Sequence, residues 1–280
     1  MPRASFCLVF GGSFTGGNLG LVDSYCPGSA RCLCSSCLFS RNARDHSPSF
    51  AQAFPMQPLD SIRAQIEDAC GRAGRNPDEI TLVGASKTVE ATRLGAFLGA
   101  GLADFGENYI QEGVRKVEFF REQGKNSTWH FIGALQSNKA REAVAYFDLI
   151  HSVDRLSLAR ELDKEARKLG KIQRVLLQVN IGDEQSKAGV EPAALPDLLQ
   201  KCAILPNLRV EGLMSLPPYQ ENPANSRVYH RKMRELRDSL ASSSVPMASL
   251  SMGMSRDYEV ALEEGATIVR IGTALFGTRS

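Results

Sequence analysis

From Leu59 onwards, short apolar runs alternate with stretches in which apolar residues recur at helical spacing. The runs are rich in β-branched residues, which is typical of buried strands. Leu94, Phe97 and Leu98 illustrate the amphipathic spacing of the intervening segments, which predicts helices. We interpret eight runs as strands: Ile80–Ser86, Ala103–Gly106, Trp129–Gly133, Leu149–Val153, Arg174–Asn180, Val210–Ser215, Ser249–Gly253 and Thr267–Gly272.

Strict alternation of strands and helices predicts parallel strand pairing through crossover helices. Eight such units in about 220 residues favour a single closed (β/α)8 TIM barrel. A doubly wound open sheet is the alternative, because the number of strands alone cannot prove closure.

The first 57 residues differ from the rest of the chain. They are rich in Ser, Gly and Cys, contain no Lys, and carry no periodic apolar pattern. This composition predicts either a plastid or mitochondrial transit peptide or a disordered leader. We therefore expect an extension at 1–57 and a folded domain at 58–280, located in the cytoplasm, or in a mitochondrion or plastid if the extension is a targeting signal.

Charge and cysteine content exclude several functional classes. Residues 60–280 contain equal numbers of acidic and basic side chains, which argues against a nucleic-acid partner. No apolar run approaches the ~20 residues that cross a bilayer, so no membrane partner is expected. Cys70 and Cys202 are the cysteines of this part, and we interpret them as reduced packing residues. His130 and His151 lie in predicted strands and are more typical of satisfied core residues than of metal ligands.

Lys87 directly follows the first predicted strand. The strand period of two places it on the same face as Val83 and Ala85. If that face is the barrel interior, Lys87 enters the barrel mouth among apolar walls, where an amine can act as a nucleophile toward carbonyl groups. The alternative is an ordinary surface lysine just beyond a strand end.

The last two strands predict a phosphate site. In barrels of this kind, the loops after strands seven and eight often bind phosphate at a short helix N-terminus. Ser255 follows strand seven, and Gly272 and Thr273 follow strand eight. A phosphate site opposite a lysine indicates a phosphorylated aldehyde as ligand.

Arg270 shares the inward face of strand eight with Ile268. A guanidinium there requires an acceptor. The candidates are a carboxylate, Glu107 or Asp154, and a ring nitrogen of a bound heterocycle.

Several segments together resemble one protein family, the pyridoxal phosphate (PLP) homeostasis proteins. The matching segments are VGASKT at Val83–Thr88, FGENYIQE at Phe105–Glu112, WHFIGALQSNK at Trp129–Lys139, VNIGDEQSKAG at Val179–Gly189, LSMGMS at Leu250–Ser255 and VRIGTALFG at Val269–Gly277. The resemblance implies a barrel similar to the N-terminal domain of alanine racemase, with pyridoxal 5′-phosphate bound as a Schiff base to Lys87.

The same resemblance implies roles for six further residues. It places Met254, Ser255, Gly272 and Thr273 around the phosphate, Arg270 at the pyridine nitrogen and Asn108 in the pocket wall. The family usually has alanine or valine where this chain has Gly84, which predicts looser packing beside the lysine.

We expect a monomeric protein that holds PLP and passes it to apo-PLP enzymes without efficient turnover. The alternative is a PLP-dependent amino-acid racemase. Racemases of this fold take a second base from an additional β domain, which we do not expect here because only a few residues follow strand eight. A third interpretation is a Schiff-base aldolase acting on a sugar phosphate.

Overall fold

The computed structural model describes residues 57–182 and 188–277. The strands lie close to their predicted positions: β1 (Thr81–Ala85), β2 (Asp104–Glu107), β3 (Thr128–Phe131), β4 (Leu149–Val153), β5 (Gln173–Val179), β6 (Leu208–Ser215), β7 (Ser249–Met254) and β8 (Ile268–Ile271). The helices are α1 (Gln57–Ala73), α2 (Ala91–Gly99), α3 (Ile110–Glu122), α4 (Ala140–Tyr146), α5 (Leu156–Lys168), α6 (Leu195–Ala203), α7 (Arg227–Leu240), α8 (Tyr258–Glu263) and α9 (Thr273–Phe276).

The strands form a closed barrel in sequence order, and every pairing is parallel. Closure comes from β1 pairing with β8, with Thr81 opposite Ile268 and Gly84 opposite Ile271. The predicted barrel is therefore confirmed, and the open sheet is excluded. Residues 1–56 of the predicted extension lie outside the described residues, and α1 begins at Gln57.

Alternate residues of each strand face two different apolar layers. Val83, Leu149, Leu176, Met214 and Ile268 contact one another inside the barrel. The opposite strand faces pack against the helices and contribute to a larger core. The interior is therefore filled with side chains, and ligands have access only near its ends.

The helix layer contains an aromatic cluster behind β2 and β3. The ring centroids of Phe105 and Trp129 are 5.3 Å apart, and the Phe120 ring lies edge-on to Trp129 at 5.4 Å. Phe105 therefore faces outward, and the strand period places Asp104 and Gly106 on the inner side. Among the described residues, no helix is both long and apolar enough to cross a membrane.

Candidate functional site

A cavity of about 490 Å³ lies at the carboxyl ends of the strands. Its volume is in the usual range for small-molecule sites, about 300–1,000 Å³. Six of the seven predicted site residues line it: Lys87, Met254, Ser255, Arg270, Gly272 and Thr273. The seventh, Asn108, follows β2 and is half-buried, but it is not among the lining residues.

Lys87 lies where the strand alternation predicted. Val83 is part of the interior cluster, and Lys87 lines the cavity two strand periods further along. The side chain is half-buried, and within the described part of the chain its amine has neither a hydrogen bond nor an ion pair. Its nitrogen is therefore available to a ligand.

Gly84 does not loosen the packing beside Lys87, so that expectation was wrong. A Cβ at Gly84 would lie 3.0 Å from side-chain atoms of Leu102 and Phe276 and 3.3 Å from Leu275. These neighbouring side chains fill the space that the methyl group of an alanine would occupy. Glycine thus allows α9, which carries Thr273, to sit tightly against β1.

Arg270 is 3% exposed and lines the cavity at the carboxyl ends of the strands. It donates hydrogen bonds to the Ser251 hydroxyl and, at 2.8 Å, to the Ser215 carbonyl oxygen. The candidate partners Glu107 and Asp154 make no bond to it: Glu107 faces the helices, and Asp154 pairs with Arg155. Burial lowers the pKa of Arg270 to about 10, so the guanidinium stays charged at neutral pH.

A chain of buried polar groups continues from Arg270 down the barrel interior. The Ser251 hydroxyl lies 2.9 Å from His151 Nδ1, and His151 Nε2 lies 2.9 Å from His130 Nδ1. At the far end, His130 Nε2 lies 3.0 Å from Asp104 Oδ1. Five residues on five strands thus connect the cavity with the amino-terminal end of β2.

The two ends of this chain determine its proton arrangement when both rings are neutral. The Asp104 carboxylate only accepts, so His130 carries its proton on Nε2 and accepts at Nδ1 from His151. His151 then accepts at Nδ1 from the Ser251 hydroxyl, which in turn accepts from Arg270. Burial, together with His130 and Arg270, holds the pKa of His151 well below its usual range, which keeps its ring neutral.

The loops after β7 and β8 meet at Ser255. Its hydroxyl oxygen accepts from the backbone nitrogens of Gly272 at 3.3 Å and Ala274 at 3.4 Å. These two N–H groups belong to the start of α9, where the partial positive charge of backbone amides favours an anion. The predicted phosphate residues are therefore adjacent, with two N–H donors directed at one oxygen.

Asp257 holds the β7 loop in this position. Its carboxylate accepts from the Met254 nitrogen at 2.8 Å and lies 3.0 Å from Nε2 of His230 on α7. Burial alone raises the pKa of Asp257, but the hydrogen bonds from His230 and Met254 outweigh it, and the pKa is lowered. Gly253 has a φ of +89°, and a Cβ there would lie 2.6 Å from Ala261, so glycine is required for the turn.

The loop after β6 forms the remaining wall of the cavity. Tyr219 is 71% exposed, and the Arg256 guanidinium lies 4.9 Å from its ring centroid. Arg256 also donates to the Tyr219 hydroxyl and, at 3.1 Å, to the Glu221 carbonyl oxygen. These contacts join the β6 and β7 loops over one side of the cavity.

Behind β1, a buried cluster of polar groups surrounds Lys116 of α3. Its ammonium donates to the Ser86 carbonyl, Glu107 Oε1 and Glu112 Oε1, each at 2.7 Å. Glu107 is fully buried, and this burial raises its pKa. Its second oxygen, Oε2, has no hydrogen-bond partner among the described residues.

Sequence reasoning correctly interpreted His130 and His151 as satisfied core residues, but it missed the chain that they form and the Lys116 cluster. His130, His151 and Ser251 stand at inward positions of their strands, which was the available signal, but their mutual contacts depend on barrel closure. Glu112 and Lys116 have the i,i+4 spacing of a surface pair. Only the proximity of Ser86 and Glu107 explains why Lys116 is buried. Among the described residues, no group of three or more His, Cys, Asp or Glu side chains is placed to bind a metal.

Residues 58–280 match the family model described as the N-terminal domain of alanine racemase. The match includes all eight strands and the whole cavity. It places the chain among the (β/α)8 barrels of the alanine-racemase type.

Individual relatives define the family more narrowly. A pyridoxal phosphate homeostasis protein of Aquifex aeolicus is 49% identical over 222 residues, which are 79% of this chain and 96% of that protein. Its namesake in Escherichia coli K12 is 43% identical over 223 residues, covering 79% and 95%. The solved structure of PipY from Synechococcus elongatus, with PLP bound, is 35% identical with a TM-score of 0.68, covering 79% and 99%. The chain belongs to the pyridoxal phosphate homeostasis protein family.

Proposed function

We propose that this protein binds pyridoxal 5′-phosphate in the cavity, holds it as a Schiff base on Lys87, and serves intracellular PLP homeostasis as a carrier. The observation that carries the proposal is the placement of the Lys87 amine, which has no polar partner among residues 57–182 and 188–277, in one cavity with the backbone donors of the β8 loop and with Arg270. An aldehyde, a phosphate and a heterocyclic nitrogen on one ligand match these three features. The PLP bound by the relative PipY supports the same ligand.

Each side chain has a defined part in this proposal. The Lys87 amine forms a C=N bond with the aldehyde carbon, and one water molecule is released. The N–H groups of Gly272 and Ala274, with the hydroxyls of Ser255 and Thr273, receive the phosphate. Arg270 donates toward the ring nitrogen, and Met254 belongs to the surrounding wall, whereas Asn108 does not line the cavity.

We further propose that the bound cofactor undergoes no efficient turnover. Bound PLP supplies an electron sink, which an acidic group at the pyridine nitrogen strengthens. Arg270 has no carboxyl group to protonate that nitrogen, and its guanidinium is fixed by Ser251 and Ser215. Racemisation of alanine at about 1 s⁻¹ or faster, the low end of ordinary enzymes, would favour the racemase alternative.

Borohydride reduction followed by peptide mass spectrometry tests the attachment site. We expect a pyridoxyl adduct on Lys87 and none after Lys87→Ala. Lys139 is the matched control, since it also follows a strand but pairs with Glu142 at 3.3 Å. An adduct on Lys139 with Lys87 unmodified would contradict the proposal. A colourless protein that does not take up PLP would favour the aldolase alternative.

The same proposal includes delivery of PLP to apo-PLP enzymes by a monomeric protein in the cytoplasm, a mitochondrion or a plastid. An apo-enzyme mixed with the PLP-loaded protein should regain activity. Delivery would be demonstrated if this happens faster than with free PLP at the concentration that the loaded protein releases into solution. Analytical ultracentrifugation tests whether the protein is a monomer. Imaging fluorescent fusions of the full chain and of residues 58–280 in cells tests the compartment.

A further inference from the structure

The backbone on both sides of Lys87 is anchored, although the Lys87 side chain is not. Ser86 donates its backbone N–H to the Gly106 carbonyl at 2.9 Å and its hydroxyl to Glu107 Oε1 at 2.5 Å. Its carbonyl accepts from Lys116. The residue before Lys87 is therefore held by hydrogen bonds to both β2 and α3.

Thr88, the residue after Lys87, has an unusual backbone conformation. Its φ is +66°, in the left-handed region that β-branched residues rarely occupy. The Thr88 N–H donates to Glu112 Oε1 at 2.6 Å, and the same oxygen accepts from Lys116. Such conformations persist only where surrounding contacts enforce them. Here the contacts are the Glu112 carboxylate and the hydrogen bond from the Val89 N–H to the Ser86 carbonyl at 3.0 Å.

The Lys116 ammonium bonds to Ser86 and to both carboxylates that contact Ser86 and Thr88. Lys116 has three N–H donors, and its three acceptors are the Ser86 carbonyl, Glu107 and Glu112. It is 6% exposed and belongs to α3, behind the barrel wall. It is not among the residues that line the cavity.

We propose that Glu112 and Lys116 are positioning residues for Lys87. They fix Ser86 and Thr88, and thereby direct the amine between them into the cavity. The inference rests on the proposed attachment of PLP to Lys87 and adds residues that do not touch the ligand. Because the Lys87 side chain has no polar contact of its own among the described residues, its direction depends on this backbone.

The proposal predicts a separation between covalent attachment and non-covalent binding. PLP reports both, whereas pyridoxine 5′-phosphate has an alcohol in place of the aldehyde and reports only the non-covalent contacts. With Glu112→Ala, we expect Schiff-base formation to be about tenfold slower, equivalent to about 1.4 kcal/mol. Stopped-flow absorbance would measure this rate. The affinity for pyridoxine 5′-phosphate should stay unchanged, which also demonstrates that the variant is folded.

Two further variants sharpen the test. Glu112→Gln keeps an oxygen that can accept from Thr88 and should retain most of the wild-type rate. Glu165→Ala is the matched control, because Glu165 is also a helical carboxylate paired with a lysine, Lys168 on α5 at 2.6 Å, away from the cavity. If Glu112→Ala is too unstable to measure, Glu112→Met removes the acceptor while keeping the side-chain volume.

A wild-type rate of attachment in both Glu112→Ala and Glu112→Met would overturn the inference. Equal losses for PLP and pyridoxine 5′-phosphate would also overturn it, since the cluster would then support the whole cavity. A wild-type protein that forms no Schiff base at all would refute the proposed function instead.

Discussion

Replacing Ser251 by alanine should be among the most destabilising single-atom deletions in the barrel. The hydroxyl is fully buried, accepts from Arg270 and lies 2.9 Å from His151 Nδ1. Its removal leaves a guanidinium N–H and an imidazole nitrogen without partners in the interior. Each orphaned group costs about 1–3 kcal/mol.

We therefore expect the free energy of unfolding to fall by about 3 kcal/mol in Ser251→Ala, a large part of the roughly 5–15 kcal/mol typical of folded domains. Urea denaturation with an unchanged m-value would measure it. In a domain of this size, the melting temperature should fall by about 6–12 °C.

Ser152→Ala is the matched control. Ser152 is 2% exposed, lies next to His151 on β4, and its hydroxyl has no hydrogen-bond partner among the described residues. Its deletion orphans nothing and should change the stability by less than about 0.5 kcal/mol. Similar losses in both variants would refute the reasoning, because the cost would then come from the lost atom and not from the broken chain.

Three further predictions follow from the site and the interior. Ser255→Ala and Thr273→Val should each weaken PLP binding about ten- to hundredfold while hardly changing pyridoxal binding, measured by equilibrium dialysis; equal losses would indicate general damage. Because the folded-state pKa of His151 lies below the ordinary 6.5, the unfolded chain binds more protons below that pH. Stability should thus fall as pH drops below 6.5, by about 1.4 kcal/mol per pH unit from this ring, and His151→Gln should reduce the slope seen in urea titrations. Deleting residues 1–50 should leave the melting temperature and PLP affinity unchanged. A clear drop in either would mean that this segment contributes to the stability of the barrel or to the binding site.

The barrel and the inward residues Lys87 and Arg270 could be predicted because both depend on local periodicity. Buried parallel strands are continuous apolar runs, and the period of two determines which side chains enter the barrel. Because all strands are parallel, residues that follow their carboxyl ends lie at the same end of the barrel, which places Lys87, Ser255 and Thr273 together.

The partners of Arg270 could not be predicted, because they depend on contacts between strands distant in sequence. A carboxylate was one of the two partners considered, beside a ring nitrogen of a ligand, yet Glu107 occupies an outward position and pairs with Lys116. The guanidinium is instead held by two neutral oxygens from β6 and β7. Which hydroxyl or carbonyl lies opposite is decided by the barrel register and its bulges.

The histidine chain makes the hydrogen-bond directions at the two ends of the barrel depend on each other. The Asp104 side chain is 26% exposed at one end, while Arg270 reaches the cavity at the other. If His130 took up a proton, it would donate at both nitrogens, and His151 would have to move its own proton from Nε2 to Nδ1. The Ser251 hydroxyl would then accept a hydrogen bond from His151 Nδ1 instead of donating one, and its own hydrogen would turn elsewhere. A single protonation near one mouth would thus change the hydrogen bonding of Arg270 at the other, with no movement of the backbone.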